Sequence, residues 1–338
     1  MTDAASDANQ PGLICEMGDG MDRIADRYLR FATVEAAGRS PLYEKWALHV
    51  ANSFDALAFL QGLPVDKQQP NLLFAAFRHT VGAPTSTAEF DAGLAQHGDA
   101  IRALMLARST QTNEPGRCAA LLPALASIAG KIALIEVGAS AGLCLLMDKY
   151  GYDWGSQRLV PCRDDSDYPV FPCEVTGAGP LPHTYPEIVW RAGLDLSPID
   201  VHCDEDRKWL EDLVWPEDSC RLARLQSALR ISRREPPQIV RGDLLRDLAC
   251  LIEQAPAEAT VVVYHSAALN YVSDQALRNE FARNMLASRC VWISNESPLV
   301  FPQFLPAATP QRSGMFLLCA DGHALAWTDP HGAALQWL

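Results

Sequence analysis

The segment Glu136-Val137-Gly138-Ala139-Ser140-Ala141-Gly142 carries the residue types and spacing that point most directly to chemistry in this 338-residue chain. It follows an apolar run, IALIEV, and precedes a helical apolar pattern, LCLL. A strand that stops at glycines and restarts as a helix leaves backbone N–H groups free, and ligands of open α/β sheets bind beyond the carboxyl ends of such strands. A second chemistry is open to the same residues. Gly138-x-Ser140-x-Gly142 has the form of a nucleophile elbow, and Asp243 followed by His265 or His323 supplies the Ser, Asp, His order of an α/β-hydrolase. Against this, a helical segment precedes the turn and no HGGG-like oxyanion segment stands upstream. A third reading is structural, with glycines for close helix–strand packing and Ser140 as a helix cap.

Other candidates fall at the ends of apolar runs. Glu136 closes a strand, where an unpaired carboxylate would be costly to bury; its partner is a local amide, an Arg or a cationic ligand group. His265 follows Val261–Tyr264, at a place where a general base could reach a substrate, or where the sheet backbone satisfies it. Asn270 and Tyr271 lie just beyond. Gln111-Thr112-Asn113-Glu114 and Arg117 precede the glycine segment: Thr112 or Asn113 could cap a helix opening at Pro115, with an interdomain contact besides, and Arg117 could pair a carboxylate bidentately. Asn295-Glu296-Ser297 ends another apolar run, so Glu296 either lines a substrate pocket or terminates a strand before Pro298. Cys162, Cys173, His183, His202 and Cys203 match no common zinc spacing, so no metal is expected. Arg207, Lys208, Arg221, Arg224, Arg230, Arg233 and Arg234 alternate with acids and read as a solvated helix face.

The elements that must position these residues change character along the chain. Residues 1–20 are small and acidic and read as a frayed tail; residues 21–128 read as helical, with segments at Asn71–Val81, Thr87–Arg108 and Pro115–Ala129. From 129 to 338, strands alternate with helices, which implies an open, mostly parallel sheet. Residues 151–187 are rich in Pro, Gly and Asp and form an insertion. The end, MFLLCADGHALAWTD, is two apolar runs joined at Asp321-Gly322, a hairpin that adds an antiparallel edge.

Composition narrows the function classes. Hydrophobic residues make up 49% and charged residues 20%, enough for a large core. The formal net charge of −13 argues against a binder of the nucleic-acid backbone, which needs a cationic face. No apolar run is long enough for a membrane helix. Ten cysteines without a C-x-x-C pair, behind a start with no secretory character, lead us to expect a reducing cytoplasm.

With Glu136, Val137, Gly138 and Gly142 in place and Ser140 where a central glycine would stand, residues 131–338 resemble the Rossmann-like class I methyltransferases. The resemblance implies an α/β fold of methyltransferase topology and S-adenosylmethionine as cofactor, with a small molecule or protein side chain as acceptor. It implies that Glu136, Gly138, Ser140 and Gly142 hold the methionine part, that Asp195 takes the ribose hydroxyls and that Asp243 lies beside the adenine. It makes HSAALNYVSD, with His265, the substrate-facing segment and the final hairpin the family's last two strands; from the residues themselves, Asn113, Arg117, Asn270, Tyr271 and Glu296 are the candidates for a substrate pocket. Over 21–338, QPNLLFAAF, QTNEPGRCAALLPAL, EVGASAGLCLLMDKY and VWISNESP also resemble a bacterial family known as domain of unknown function 2332, which implies a helical part fused to a methyltransferase-like part. A non-catalytic binding or assembly module on the same fold is the rival expectation.

Overall fold

Ser40 and Pro41 open a helix as their chemistry dictates. The Ser40 hydroxyl accepts from the Tyr43 amide at 3.1 Å, and Pro41, with no amide to leave orphaned, takes the first helical position. Ser53 and Ser86 cap two further helices in the same way. The computed structural model describes residues 11–111, 113–162, 167–307 and 312–338, and the chain divides into two units.

One unit holds residues up to 111 together with 208–219. Its helices are α1 (Pro11–Arg30), which continues into a wider turn at Phe31–Ala36, α2 (Pro41–Asn52), α3 (Phe54–Gln61), α4 (Pro70–Thr80) and α5 (Thr87–Ala107). Helix α1 begins inside the stretch expected to be a frayed tail, so that expectation is corrected from Pro11 onward; residues 1–10 lie outside the described residues. Aromatic side chains at helical spacing converge on one core: Tyr28, Phe31, Tyr43, Trp46, Phe74, Phe77 and Phe90, with Phe77 and Phe90 stacked at 4.5 Å. Trp209 joins that core from the 208–219 stretch.

The other unit holds residues 112–207 and 220–338. A 3-10 turn at Pro115–Arg117 and α6 (Cys118–Leu125) belong to it, so the division falls near 111 rather than at 128. Its elements continue as β1 (Lys131–Val137), β2 (Gly151–Asp153), β3 (Arg158–Leu159), β4 (Val170–Pro172), β5 (Glu174–Thr176) and β6 (Glu187–Asp195). Then come α7 (Asp204–Asp212), whose residues from 208 on belong to the first unit, α8 (Ser219–Arg234), β7 (Gln238–Arg241), α9 (Leu248–Ile252), β8 (Thr260–Ser266), α10 (Gln275–Ala287) and β9 (Val291–Glu296). Three strands finish the chain: β10 (Phe316–Ala320), β11 (His323–Thr328) and β12 (Ala334–Trp337).

Nine strands form one sheet in the order β5-β12-β11-β10-β9-β8-β1-β6-β7. From β9 to β7 the pairings are parallel, as expected where helices make the crossovers, whereas β9, β10, β11 and β12 pair antiparallel in chain order. The hairpin is therefore one part of a four-strand antiparallel run, β9 to β12. Asp321 and Gly322 both take positive φ (47° and 77°), as the tight turn between β10 and β11 requires. The insertion does not stay a loop: β3-β2-β4 form a small separate sheet, and β5 adds to the edge of the large sheet beside β12.

In the order of the chain, the parallel strands run third, second, first, fourth, fifth across the sheet. The chain reverses its direction of travel between β1 and β8. One face of these strands packs Ile135, Val137, Ala192, Leu194 and Val263 against Leu251, Phe281 and Met285. The alternate residues, among them Glu136 and Tyr264, point to the other face, and the pairing sets these two side by side.

Candidate active site

Strand β1 stops at Val137, and Gly138, Ser140 and Gly142 then take positive φ of 74°, 51° and 68°. A β-carbon at Gly138 would stand 2.5 Å from Cβ of Ala268, and one at Gly142 2.6 Å from Cδ1 of Ile239. Both conformation and space therefore require glycine. The turn is closed by its own protein. The amides of Gly138 and Ala139 donate to Leu194 O, that of Ser140 to Asp195 Oδ2, that of Gly142 to Ala139 O and that of Leu143 to Asn113 Oδ1. Those N–H groups are committed and form no open anion cradle. The segment after the turn is also not the expected α-helix: Leu143–Lys149 is 3-10 with a break at Leu146.

Asp195 ends β6 and is buried. Its Oδ2 accepts from Ser140 N and its Oδ1 from Ser197 N, both at 2.7 Å. The acid expected to take a ribose thus fastens the glycine turn to β6. Leu196, the next residue, is exposed. On the neighbouring strand the Gly242 amide donates to Asp195 O, so Asp243 leaves the adjoining strand end. Asp243 Oδ1 accepts from Leu245 N and Arg246 N, while Oδ2 makes no hydrogen bond among the described residues.

Glu136 is fully inside the protein, and its Oε2 has no hydrogen-bond partner; neither has the hydroxyl of its neighbour Tyr264, nor Ser140 Oγ. Burial pushes the Glu136 carboxyl well above the usual carboxylate range, reinforced by Cys144 and only partly opposed by Arg117.

Asn113 does not cap the turn at Pro115. It bridges the glycine segment instead, donating to Ala139 O at 2.8 Å and accepting from Leu143 N at 3.0 Å. Glu114 is the cap, its Oε1 accepting from Gly116 N, and its Oε2 pairs with Arg221 Nε. Arg221 was expected on a solvated face but is mostly buried in that pair. Thr112 lies outside the described residues. Arg117 is 9% exposed and donates from Nε to Pro330 O at 2.8 Å and from Nη1 to Ser266 O at 3.1 Å.

His265 ends up bound on both nitrogens. Nε2 accepts from the indole N–H of Trp292 at 3.0 Å, and an indole can only donate; the proton therefore sits on Nδ1, 2.7 Å from Glu296 Oε1. The same Glu296 oxygen accepts from the amides of Ala268 and Leu269. With no exposed surface and no free nitrogen, His265 is not placed as a general base, and Glu296 anchors the 268–269 backbone rather than lining a pocket. Asn270 and Tyr271 are exposed on a 3-10 turn. Asn295 was legible only as a strand end, yet it joins Ser266 to Thr328 through its side chain.

Among the described residues no group of three or more His, Cys, Asp or Glu side chains could hold a metal ion, and no helix is long and apolar enough to cross a membrane. Comparison with curated proteins and with solved structures finds no match. A family model matches residues 25–337, a range that includes every residue of the candidate site. The chain belongs to the bacterial family described as "Uncharacterized protein conserved in bacteria (DUF2332)".

Proposed function

We propose that the protein is an S-adenosylmethionine-dependent methyltransferase acting on a small molecule or a protein side chain. The observation that carries this reading is the place of the glycine turn. It follows the central strand β1, at the switch point between β1 and β8, where doubly wound sheets bind nucleotides.

The residues present fit such a cofactor at three places. Ser140 Oγ and Glu136 Oε2 are buried polar atoms that lack protein partners at the turn, and Asp243 keeps one carboxylate oxygen unbonded. Asp243 would accept the adenine amine, Leu196 would meet the base, and Glu136 with Ser140 would face the methionine end. Asp195 would act through the turn it fastens. When bound, S-adenosylmethionine supplies an activated methyl group. The chain's part is to orient the acceptor and exclude water, which can provide most of the acceleration of an in-line transfer without a catalytic base. The doubly bonded His265 agrees with a site that needs none.

One observation favours a non-catalytic binding module: Ala268 already fills the space beside Gly138, and the amides of Gly138, Ala139, Ser140 and Gly142 are spent on the protein itself. Ser140 as a hydrolase nucleophile has no histidine bonded to it and no exposure. The test is thermal unfolding with S-adenosylmethionine, S-adenosylhomocysteine, NAD or no ligand. A ligand at a hundred times its Kd adds about 2.7 kcal/mol of stability. The reading predicts a raised midpoint with the first two compounds. A midpoint raised by NAD alone, or by none, would overturn it.

A further inference from the structure

We infer that Arg117 anchors a subsite for a ligand carboxylate at the carboxyl end of β8. The guanidinium is held from two sides by Pro330 O and Ser266 O, and Ser266 is the last residue of β8, next to the switch point. Two of its five N–H groups are thereby spent. The others have no partner among the described residues, and no carboxylate there forms an ion pair with it. Such a charge, nine-tenths withdrawn from water, is costly to keep without a counterion, and proteins pair or ligate buried charges.

The surroundings sharpen the ligand class. Both backbone carbonyls hold the planar fork in one orientation, which suits bidentate recognition of a planar carboxylate. The nearby acid Glu136 acts on Arg117 electrostatically without reaching it, and its Oε2 is an orphan. The other acid of this stretch, Glu114, is neutralised by Arg221. With Arg221 spent on Glu114, one uncommitted guanidinium favours a monoanion over a phosphate dianion. A neutral Glu136 carboxyl would add a donor for the same ligand, or, once ionised, an acceptor for a ligand amine.

This subsite deepens the methyl-transfer reading, and the carboxylate has two sources there: the methionine end of the cofactor, or the methyl acceptor. Isothermal titration of the whole protein separates them. The probes are acetate, succinate, benzoate, inorganic phosphate, S-adenosylmethionine and 5′-methylthioadenosine, which lacks the amino-acid end. The inference expects at least one carboxylate-bearing probe to bind and to lose about tenfold or more in affinity in Arg117→Lys, which keeps the charge but not the fork. Arg230→Gln, a surface variant, should change nothing. If S-adenosylmethionine is the Arg117-dependent probe and methylthioadenosine is not, the carboxylate is the cofactor's. If plain carboxylates alone depend on Arg117, it is the acceptor's. Arg117-dependent carboxylate binding with no S-adenosylmethionine binding upholds the subsite and removes the methyltransferase. Absence of carboxylate binding by the wild-type protein, phosphate as the preferred ligand, or equal affinities in a folded Arg117→Lys would overturn the subsite.

Discussion

Asp195 and Ser140, 55 residues apart in the chain, are joined by a 2.7 Å hydrogen bond from the Ser140 amide to Oδ2. The bond turns a strand-end carboxylate into the fastening of the glycine turn, with Ser197 N on the other oxygen. Hydrogen bonds to a charged group are each worth about 1.5–3 kcal/mol net. Asp195→Ala is expected to lower unfolding stability by about 3 kcal/mol in urea titration. Asp195→Asn, which retains one acceptor, should lose about half of that. A variant of wild-type stability that had lost ligand binding would instead give Asp195 a direct ligand role.

The His265–Glu296 pair makes a second stability prediction. Removing one partner of a buried hydrogen bond costs about 1–3 kcal/mol, because the other is left unsatisfied. Here both Glu296 and the Trp292 indole lose a partner, though Glu296 keeps its two backbone donors, so His265→Ala is expected to cost about 2–3 kcal/mol. Urea unfolding checks it. Full stability combined with lost turnover would restore His265 as a base.

What could be read from the sequence was the part written in local chemistry. Glycines at 138 and 142 announced a turn after a strand, and Asp321-Gly322 a tight hairpin. The segment 143–149 defeated that approach because it is buried on nearly all sides: an all-round apolar run shows no face, and the chain there forms 3-10 turns broken at Leu146. The strands of the insertion are two or three residues long, too short to show alternation. The polar partnerships of the site were hidden for another reason. Glu114 with Arg221, Asn113 with Ala139, and Asp195 with Ser140 span 107, 26 and 55 residues, and no local pattern encodes a long-range hydrogen bond.

Ser140 distinguishes the enzyme classes by reactivity. Its Oγ is buried and bonds to nothing, so no base activates it. A fluorophosphonate probe is expected to leave the protein unlabelled, and Ser140→Ala should change stability by less than about 1 kcal/mol, since no hydrogen bond is lost. Stoichiometric labelling that disappears in Ser140→Ala would make the protein a hydrolase.

Glu136 sets a pH dependence whose sign follows from its burial. Its folded-state pKa lies well above its ordinary value of 4.5, so the folded chain holds a proton that the unfolded chain has released. Stability is therefore fully present below the ordinary carboxylate range and is lost as pH rises toward the folded-state pKa. Glu136→Gln keeps the shape of the protonated side chain and removes the titration. It should match the wild type in acid and exceed it at pH 8, where the wild type alone carries the cost of ionising a buried carboxyl. Urea unfolding between pH 5 and 8 measures the divergence. Parallel curves would mean that Glu136 is ionised in the fold, with a countercharge near enough to hold it so.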